Sequence, residues 1–463
     1  RVESLFSRLN YDYKEKYIFT GILRRDGSTR FGPNHKYGTF PSVSLGWVPS
    51  KEGFWKENNV INNLKIRGGY GVTGNDSSPD FLYISAVGIQ RNYTIGGVIG
   101  NGQSTNAIPN PDLKWEETKQ ANIGFETTLF RDFSLNVDLF NKKTEGILMK
   151  VPIPGYVGAT DAPSANIADM DNSGLEVELG YKKRLGDFNL GVNANFAYLK
   201  NEITYVGSST NFIVGDASFQ SMGPVTRTEV GHSFNEFYGF KTAGIFQNAA
   251  EVAAYKNAAG NLIQPNARPG DFRWKDNNGD GKIDDDDKTF LGSPLPKYTY
   301  GFTINLDYKN FDFNMFWQYT VGNDQLNWVR FFQEHGGTRN TGFVSSQLRR
   351  WQQSGDITDV PRMISANYRG DLRPDRFLED GSYLRLKNLS LGYTLPSTIS
   401  EKIGFSRIRV YGSGQNLLTI TNYTGLDPEV NTGADLGGLA EGIDLYAMPQ
   451  PRVIMGGLNL TFK

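Results

Sequence analysis

The segment Phe188-Asn-Leu-Gly-Val-Asn-Ala-Asn-Phe-Ala-Tyr198 decides the fold class. Its even positions, Phe188, Leu190, Val192, Ala194, Phe196 and Tyr198, are apolar, with Asn189, Gly191, Asn193, Asn195 and Ala197 between them. A period of two gives an extended strand one greasy and one polar face. The alternation recurs in Phe133, Leu135, Val137 and Leu139 and again in Phe302, Ile304, Leu306 and Tyr308. After a tight turn it resumes with Phe311, Phe313, Met315, Trp317, Tyr319 and Val321. Length separates two explanations. Strands in globular sheets run about 5–6 residues, whereas one that crosses a bilayer needs ~9–11. The runs at 114–130 and 189–205 are longer than a globular sheet requires. Short turns at Arg131-Asp132, Gly186-Asp187 and Lys309-Asn310 alternate with long polar loops, the one-sided pattern of an outer-membrane barrel. The sequence predicts an all-β, transmembrane antiparallel β-barrel with large extracellular loops.

With short turns assigned to the periplasm, descending strands fall at 2–13, 37–48, 114–130, 171–185, 297–309, 381–394 and 452–462. Ascending strands fall at 17–30, 63–74, 134–150, 188–205, 311–322 and 406–421. The phase changes near Lys387-Asn388, which predicts a bulge. Thirteen strands beginning on a descending one do not close a bacterial barrel, which has an even count and no open edge in lipid. Residues 1–463 are therefore expected to be the C-terminal part of a single transmembrane barrel domain, 22-stranded if nine strands precede them, with any plug domain outside this sequence. Parity makes 207–296 one extracellular excursion, with Phe237–Phe246 as a hairpin inside it.

Composition agrees and excludes other classes. The 463 residues carry 48 basic and 49 acidic side chains, a net charge of −1, so no nucleic-acid footprint is expected. There is no Cys, hence no disulfide framework, thiolate metal site or Cys nucleophile. No run of 18 apolar residues is present to form a spanning helix. Only 38% of residues are apolar, yet 13% are aromatic and 53 are Gly; a barrel hides its hydrophobicity in alternation, with aromatics on the lipid face.

The sharpest local motif is Asp276-Asn-Asn-Gly-Asp-Gly-Lys-Ile-Asp-Asp-Asp-Asp287. It fits the twelve-residue calcium loop: Asp276, Asn278 and Asp280 at positions 1, 3 and 5, Gly281 at the sharp turn, the Lys282 carbonyl at 7, Asp284 at 9 and Asp287 at 12. Ile283 is its apolar anchor, and Pro294 argues against a flanking second helix. A structural calcium ion is the expectation; an acidic solvated loop with a tight Asp-Gly turn is the alternative. Gly69-Tyr-Gly-Val-Thr-Gly74 has dinucleotide-site spacing but runs into Asn75-Asp76-Ser77-Ser78-Pro79, which does not open a helix. Only His35, His232 and His335 occur, without metal spacing, and no G-x-S-x-G is present, so no enzyme is expected. Trp328, Phe331, Phe332, Trp351 and Tyr368, with Arg349, Arg350, Arg362 and Arg369, make an aromatic and arginine-rich stretch. Trp328, Phe331, Trp351 and Arg350 are the candidates for holding a sugar or peptide at the barrel mouth; a self-packed loop or a protein contact is the alternative.

The motifs resemble those of the SusC-like (RagA-like) TonB-dependent transporters of Bacteroidetes outer membranes. The matching pieces are Arg24-Arg-Asp-Gly-Ser-Thr-Arg-Phe-Gly32, Asn110-Pro-Asp-Leu-Lys-Trp-Glu-Glu-Thr118, Asn172-Ser-Gly-Leu-Glu176 and Pro269-Gly-Asp-Phe-Arg273. Downstream lie Asp380-Gly-Ser-Tyr-Leu-Arg-Leu-Lys-Asn-Leu-Ser-Leu-Gly-Tyr393, Gln415-Asn-Leu-Leu418 and Leu426-Asp-Pro-Glu429. The resemblance implies a 22-stranded barrel with an N-terminal plug, energy from the TonB complex, and a SusD-like lipoprotein lid. It also implies import of bulky nutrients, oligosaccharides or peptides, by a multi-pass outer-membrane protein in contact with lipid. No plug or TonB box lies in these residues, and the chain ends Phe462-Lys463 where such barrels end on the aromatic. A passive porin and a soluble secreted glycan-binding β-protein are the rival readings.

Overall fold

The computed structural model describes residues 1–463 apart from 57, 85–86, 90–91, 106–107, 152–161, 209, 216–223, 335–343, 364–374, 431–439 and 463. Thirteen long strands dominate. They are β1 (Val2–Tyr13), β2 (Tyr17–Ser28), β3 (Tyr37–Trp47), β4 (Ile61–Asn75), β5 (Glu116–Leu129), β6 (Phe133–Lys150) and β7 (Ser164–Leu185). The series continues with β8 (Phe188–Val206), β9 (Tyr298–Tyr308), β10 (Phe311–Val321), β11 (Tyr383–Thr394), β12 (Phe405–Thr421) and β13 (Val453–Phe462). They form one antiparallel sheet in chain order, so the thirteen strands predicted from alternation are the thirteen observed. β1 and β13 are its outer members, and the sheet is not closed within this chain.

The short turns are tight for a stated reason. At the β1–β2 turn, Lys14 and Glu15 both take positive φ, 53° and 55°, and Phe130 and Arg131 do so between β5 and β6, at 52° and 65°. Two left-handed residues in succession match the right-handed twist of the flanking strands. The Asp12 side chain accepts the Glu15 amide at 2.8 Å and helps hold the first of these turns. Strand β7 starts at Ser164, seven residues before the predicted 171. Its extension pairs with the end of β6 beyond a bulge at Gly146, and Ser164-Ala-Asn-Ile-Ala-Asp169 has no clean apolar face to reveal it. The predicted bulge is present: Leu386 pairs with Leu418 and Asn388 with Gln415, leaving Lys387 out of register.

The chain divides into two compact units. In the first (1–213, 229–232 and 300–309), the apolar face of the strands is open: Leu45, Ile123 and Leu139 are 60%, 59% and 54% exposed. Its buried cluster forms where Phe31, Leu113 and Trp115 of the connections meet Phe40 of β3, the Trp115 ring packing edge-on to Phe40 at 5.4 Å. In the second (214–228, 233–299 and 310–463), two clusters form. One joins Val225, Phe237, Leu326, Trp328, Phe331, Phe377, Ala440 and Ile443. The other joins Phe240, Phe272 and Trp274, with Ile245 and Ile283 against them. A soluble sheet would bury its apolar face; here the two clusters of the second unit lie outside the long strands, and much of the strands' apolar face stays open.

Among the described residues of 207–296 the strands are short, and none joins the thirteen-strand sheet. The expected Phe237–Phe246 hairpin is not formed. Residues 236–239 pair with 226–229 and 289–292, while 242–245 pair with 272–274. The chain splits at Phe240, whose ring is drawn into the cluster with Phe272 and Trp274; burying that side chain outweighs local hairpin pairing.

Candidate functional site

The polar face of the first unit is organised around glycine. Arg67 on β4, Gly124 on β5 and Asp138 on β6 stand side by side in register. The Arg67 guanidinium crosses over Gly124 to reach Asp138, and its Nε pairs with Glu126 at 2.8 Å. A Cβ on Gly124 would lie 2.9 Å from Asp138 Cγ and 2.5 Å from the Val137 carbonyl, so only glycine leaves room. Lys65 adds a 3.3 Å contact to Glu126. A recess of about 490 Å³ opens beside this bridge, lined by Arg67, Asp138, Phe140 and Glu176 among others.

The second unit repeats the device. Arg409 on β12 reaches across Gly392 of β11 to Asp312 on β10, with Nε at 2.8 Å. A Cβ at Gly392 would fall 2.6 Å from that Nε and 2.5 Å from the carboxylate. Further along β11 lies Arg385, only 2% exposed. It donates to Thr419 at 3.0 Å, to Glu429 at 2.6 Å and to Asp427, and Lys387 donates to Glu429 at 2.6 Å. Asp427 also accepts the amides of Glu429 and Gln450, each at 2.8 Å. Burial pushes the Asp427 carboxyl upward, but the two amides and the guanidinium outweigh it and hold it below its ordinary value. The loop after β12 is thereby pinned to the strand by charge.

Two of the candidate ligand-binding aromatics are packed inward. Trp328 and Phe331 are each 3% exposed, stacked 5.4 Å apart inside the larger cluster. Trp351 donates from its indole to Gln247 at 3.1 Å and lies over Gly270, where a Cβ would collide with its ring. Arg350 donates to the Gln347 carbonyl at 3.1 Å. Arg362 forks onto Asp271 at 2.7 and 3.2 Å. Tyr368 and Arg369 lie outside the described residues. The four candidates lie in three separate local structures.

The Asp-rich loop folds as its spacing predicts at the turn: Gly281 has φ +86° and abuts Asn257, and Ile283 reaches the Phe240 cluster. Asp276 accepts the amides of Gly279 and Gly281 at 2.7 and 2.9 Å. Asn278 accepts that of Asp280 at 2.9 Å. Asp287 is fully buried and accepts the amides of Asn277 and Asp284. The Lys282 ammonium sits between Asp284 and Asp280, and those two carboxylates push its pKa up to about 12. Among the described residues no three carboxylates or imidazoles come together as a metal cage.

Comparison with known proteins places this arrangement. Residues 1–227 match the family described as "TonB dependent receptor-like, beta-barrel". The chain is 34% identical over 471 residues to TonB-dependent receptor P3 of Formosa agariphila, covering 99% of this chain and 45% of that protein. It is 29% identical to TonB-dependent receptor SusC of Bacteroides thetaiotaomicron, covering 99% and 43%. Among solved structures it is similar to the RagAB peptide transporter, at a TM-score of 0.80 and 28% identity over 99% of this chain and 47% of that one. The chain belongs to the TonB-dependent receptor β-barrel family. It spans about half the length of the curated relatives it matches.

Within this TonB-dependent receptor barrel, the motif stretches acquire physical roles that spacing alone leaves blank. In Arg24–Gly32, Ser28 donates to Asp76 at 2.8 Å and Arg30 to Asp80 at 3.1 Å, while Phe31 enters the buried cluster. Asn110 donates to the Ser164 carbonyl at 3.1 Å. Pro269–Arg273 supplies the glycine under Trp351 and the aspartate for Arg362. The motif stretches already contain Arg385 and Asp427, but only the tertiary structure brings the two together.

Proposed function

We propose that this chain is wall and external loops of an outer-membrane, TonB-dependent importer of bulky nutrients, oligosaccharides or peptides. It would work with a SusD-like lipoprotein lid and cross the membrane as a multi-pass protein by its strands. The observation that carries the reading is the two-faced sheet: an open apolar face outside, as lipid contact requires, and a charged, glycine-bridged face within. Similarity to SusC along 99% of the chain supports it. Likeness to the RagAB peptide transporter supports a partner protein and a peptide cargo. Nothing in the site calls for bond-making chemistry. The test is uptake of labelled oligosaccharides and peptides by cells carrying the full-length protein, with and without a working TonB. Uptake that needs both is expected. Uptake that persists without TonB would make it a porin, and a full-length protein that stays soluble without detergent would make it a secreted binder.

For the Asp-rich loop we propose a structural calcium ion held by Asp276, Asn278, Asp280, the Lys282 carbonyl, Asp284 and Asp287. Support comes from the twelve-residue spacing and the Gly281 turn. The ion would displace the Lys282 ammonium from Asp280 and Asp284. Melting of the full-length protein should rise with calcium and lose that response in the Asp276→Ala, Asp280→Ala double variant; equal responses would reject the site.

A further inference from the structure

Tyr37 opens β3 on the face it shares with Val43, Leu45 and Trp47, opposite to the face that carries the charged glycine bridges. Its ring lies over Gly27 of β2, its partner in register; a Cβ on that glycine would stand 2.5 Å from the ring. Two cations meet on this ring. The Arg25 guanidinium, on the same face of β2, is 5.0 Å from its centre, and the Lys36 ammonium is 5.4 Å from it. Among the described residues neither cation makes an ion pair, although Glu3 of β1 stands diagonal to Arg25. Toward the loop ends of the other strands, cations on this face are matched. Lys119 and Lys143 both reach Glu145, at 2.5 and 3.2 Å, and Lys200 reaches Glu202 at 2.6 Å.

Tyr37 and Trp47 bound the 11 residues of β3. At about 3.3 Å per residue and a tilt of about 40° they differ by ~25 Å in height, which is the height of the apolar band on a membrane barrel. Tyr37 therefore stands where hydrocarbon gives way to head groups, and Leu23, Val43 and Leu45 lie open beneath it. An aromatic at this level is ordinary for a barrel; two unmatched cations on it call for an anion. A guanidinium fork and an ammonium both suit phosphate oxygens, and the Tyr37 hydroxyl adds a donor. Basic side chains at a membrane surface attract anionic head groups. A free phosphate would leave the apolar column unused, whereas a lipid phosphate brings acyl chains to cover it. Tyr37 lies at the end of β3 remote from the tight β1–β2 turn, hence in the outer leaflet, where the phosphate-bearing lipid is a glycolipid with several chains.

We infer that Arg25, Lys36 and Tyr37 form a docking site on the lipid face for lipid A, the phosphorylated glycolipid of the outer leaflet, an assignment that rests on the outer-membrane reading above. A domain filling the lumen does not reach this face, and β1 stands between Arg25 and the edge of the sheet. The full-length protein, stripped of lipid in detergent, is titrated by native mass spectrometry with diphosphoryl lipid A, its dephosphorylated form and phosphatidylglycerol. Diphosphoryl lipid A should bind best. Arg25→Gln with Lys36→Gln should weaken it about tenfold or more without moving the melting temperature, because no ion pair is lost. Lys119→Gln with Lys143→Gln removes the same charge from the same face and should bind as wild type does. The dephosphorylated probe tests the phosphate contact without any variant. Equal binding of that probe or of phosphatidylglycerol, equal loss in both double variants, or no loss in the Arg25/Lys36 variant would overturn the site. A full-length protein that takes up no lipid and stays soluble without detergent would fault the membrane reading itself. One that takes up lipid without this preference would fault the docking site alone.

Discussion

Gly124 and Gly392 show what a single missing Cβ does in this sheet. Each lies in the middle strand of three, beneath an Arg–Asp pair that spans from one neighbour to the other. A β-branched side chain would fill the space the guanidinium uses. Gly124→Val is expected to separate Arg67 from Asp138 and lower stability by about 1–3 kcal/mol, the usual range for overpacking, read as a fall in the melting temperature of the detergent-solubilised protein. Asp138→Asn in that background should add little, since its pair with Arg67 is already broken. Asp427 makes a pH prediction at the same scale. Its carboxyl is held below its ordinary value, so the stability it contributes is present above pH ~4. That contribution disappears as pH falls through the lowered value. Asp427→Asn should weaken the fold at pH 7, where it strands the buried Arg385, and should flatten the loss of stability between pH 5 and pH 3. An Asn variant with the wild-type acid profile would remove Asp427 from the account.

At the scale of elements, turns and loops behave differently. The β1–β2 turn places Lys14 and Glu15 in a conformation that Asn-Gly adopts more readily. Lys14→Asn with Glu15→Gly is therefore expected to raise the melting temperature slightly, and a drop would mean that the side chains, including the Glu15–Lys51 pair, matter more than the backbone. The Asp-rich excursion hangs on Phe240, Phe272 and Trp274. Trp274→Ala should cost about 3–5 kcal/mol locally, seen as protease cleavage within 240–290 while the long strands stay protected. Alternation read from sequence gave every long strand, because each residue reports its face directly. It missed the start of β7 at Ser164, which pairs beyond a bulge without an apolar stripe, and it misjudged Phe237–Phe246. In that segment partners distant in the chain, 226–229 and 272–274, win over the neighbour.

For the whole molecule, the open apolar strand faces and the loop-borne clusters mean that two environments hold the fold. A consequence is that detergent removal should aggregate the full-length protein while the loop clusters keep their structure, a contrast visible by hydrogen exchange. The low hydrophobic content and the abundance of glycine follow from the same plan, since half of each strand faces water and the bridged positions admit no side chain. What the sequence determined by itself is the wall: strand number, order, turn ends and the phase slip at Lys387 all follow from a period of two and local turn chemistry. It also marked the motif stretches. Tertiary structure decided what those stretches do, burying Trp328 and Phe331 in a core, setting Arg385 on Asp427, and laying Tyr37 across Gly27. The reason is physical: alternation is a property of neighbouring residues, whereas burial and charge pairing depend on strands distant in the chain meeting in register, 97 residues apart for Asp312 and Arg409.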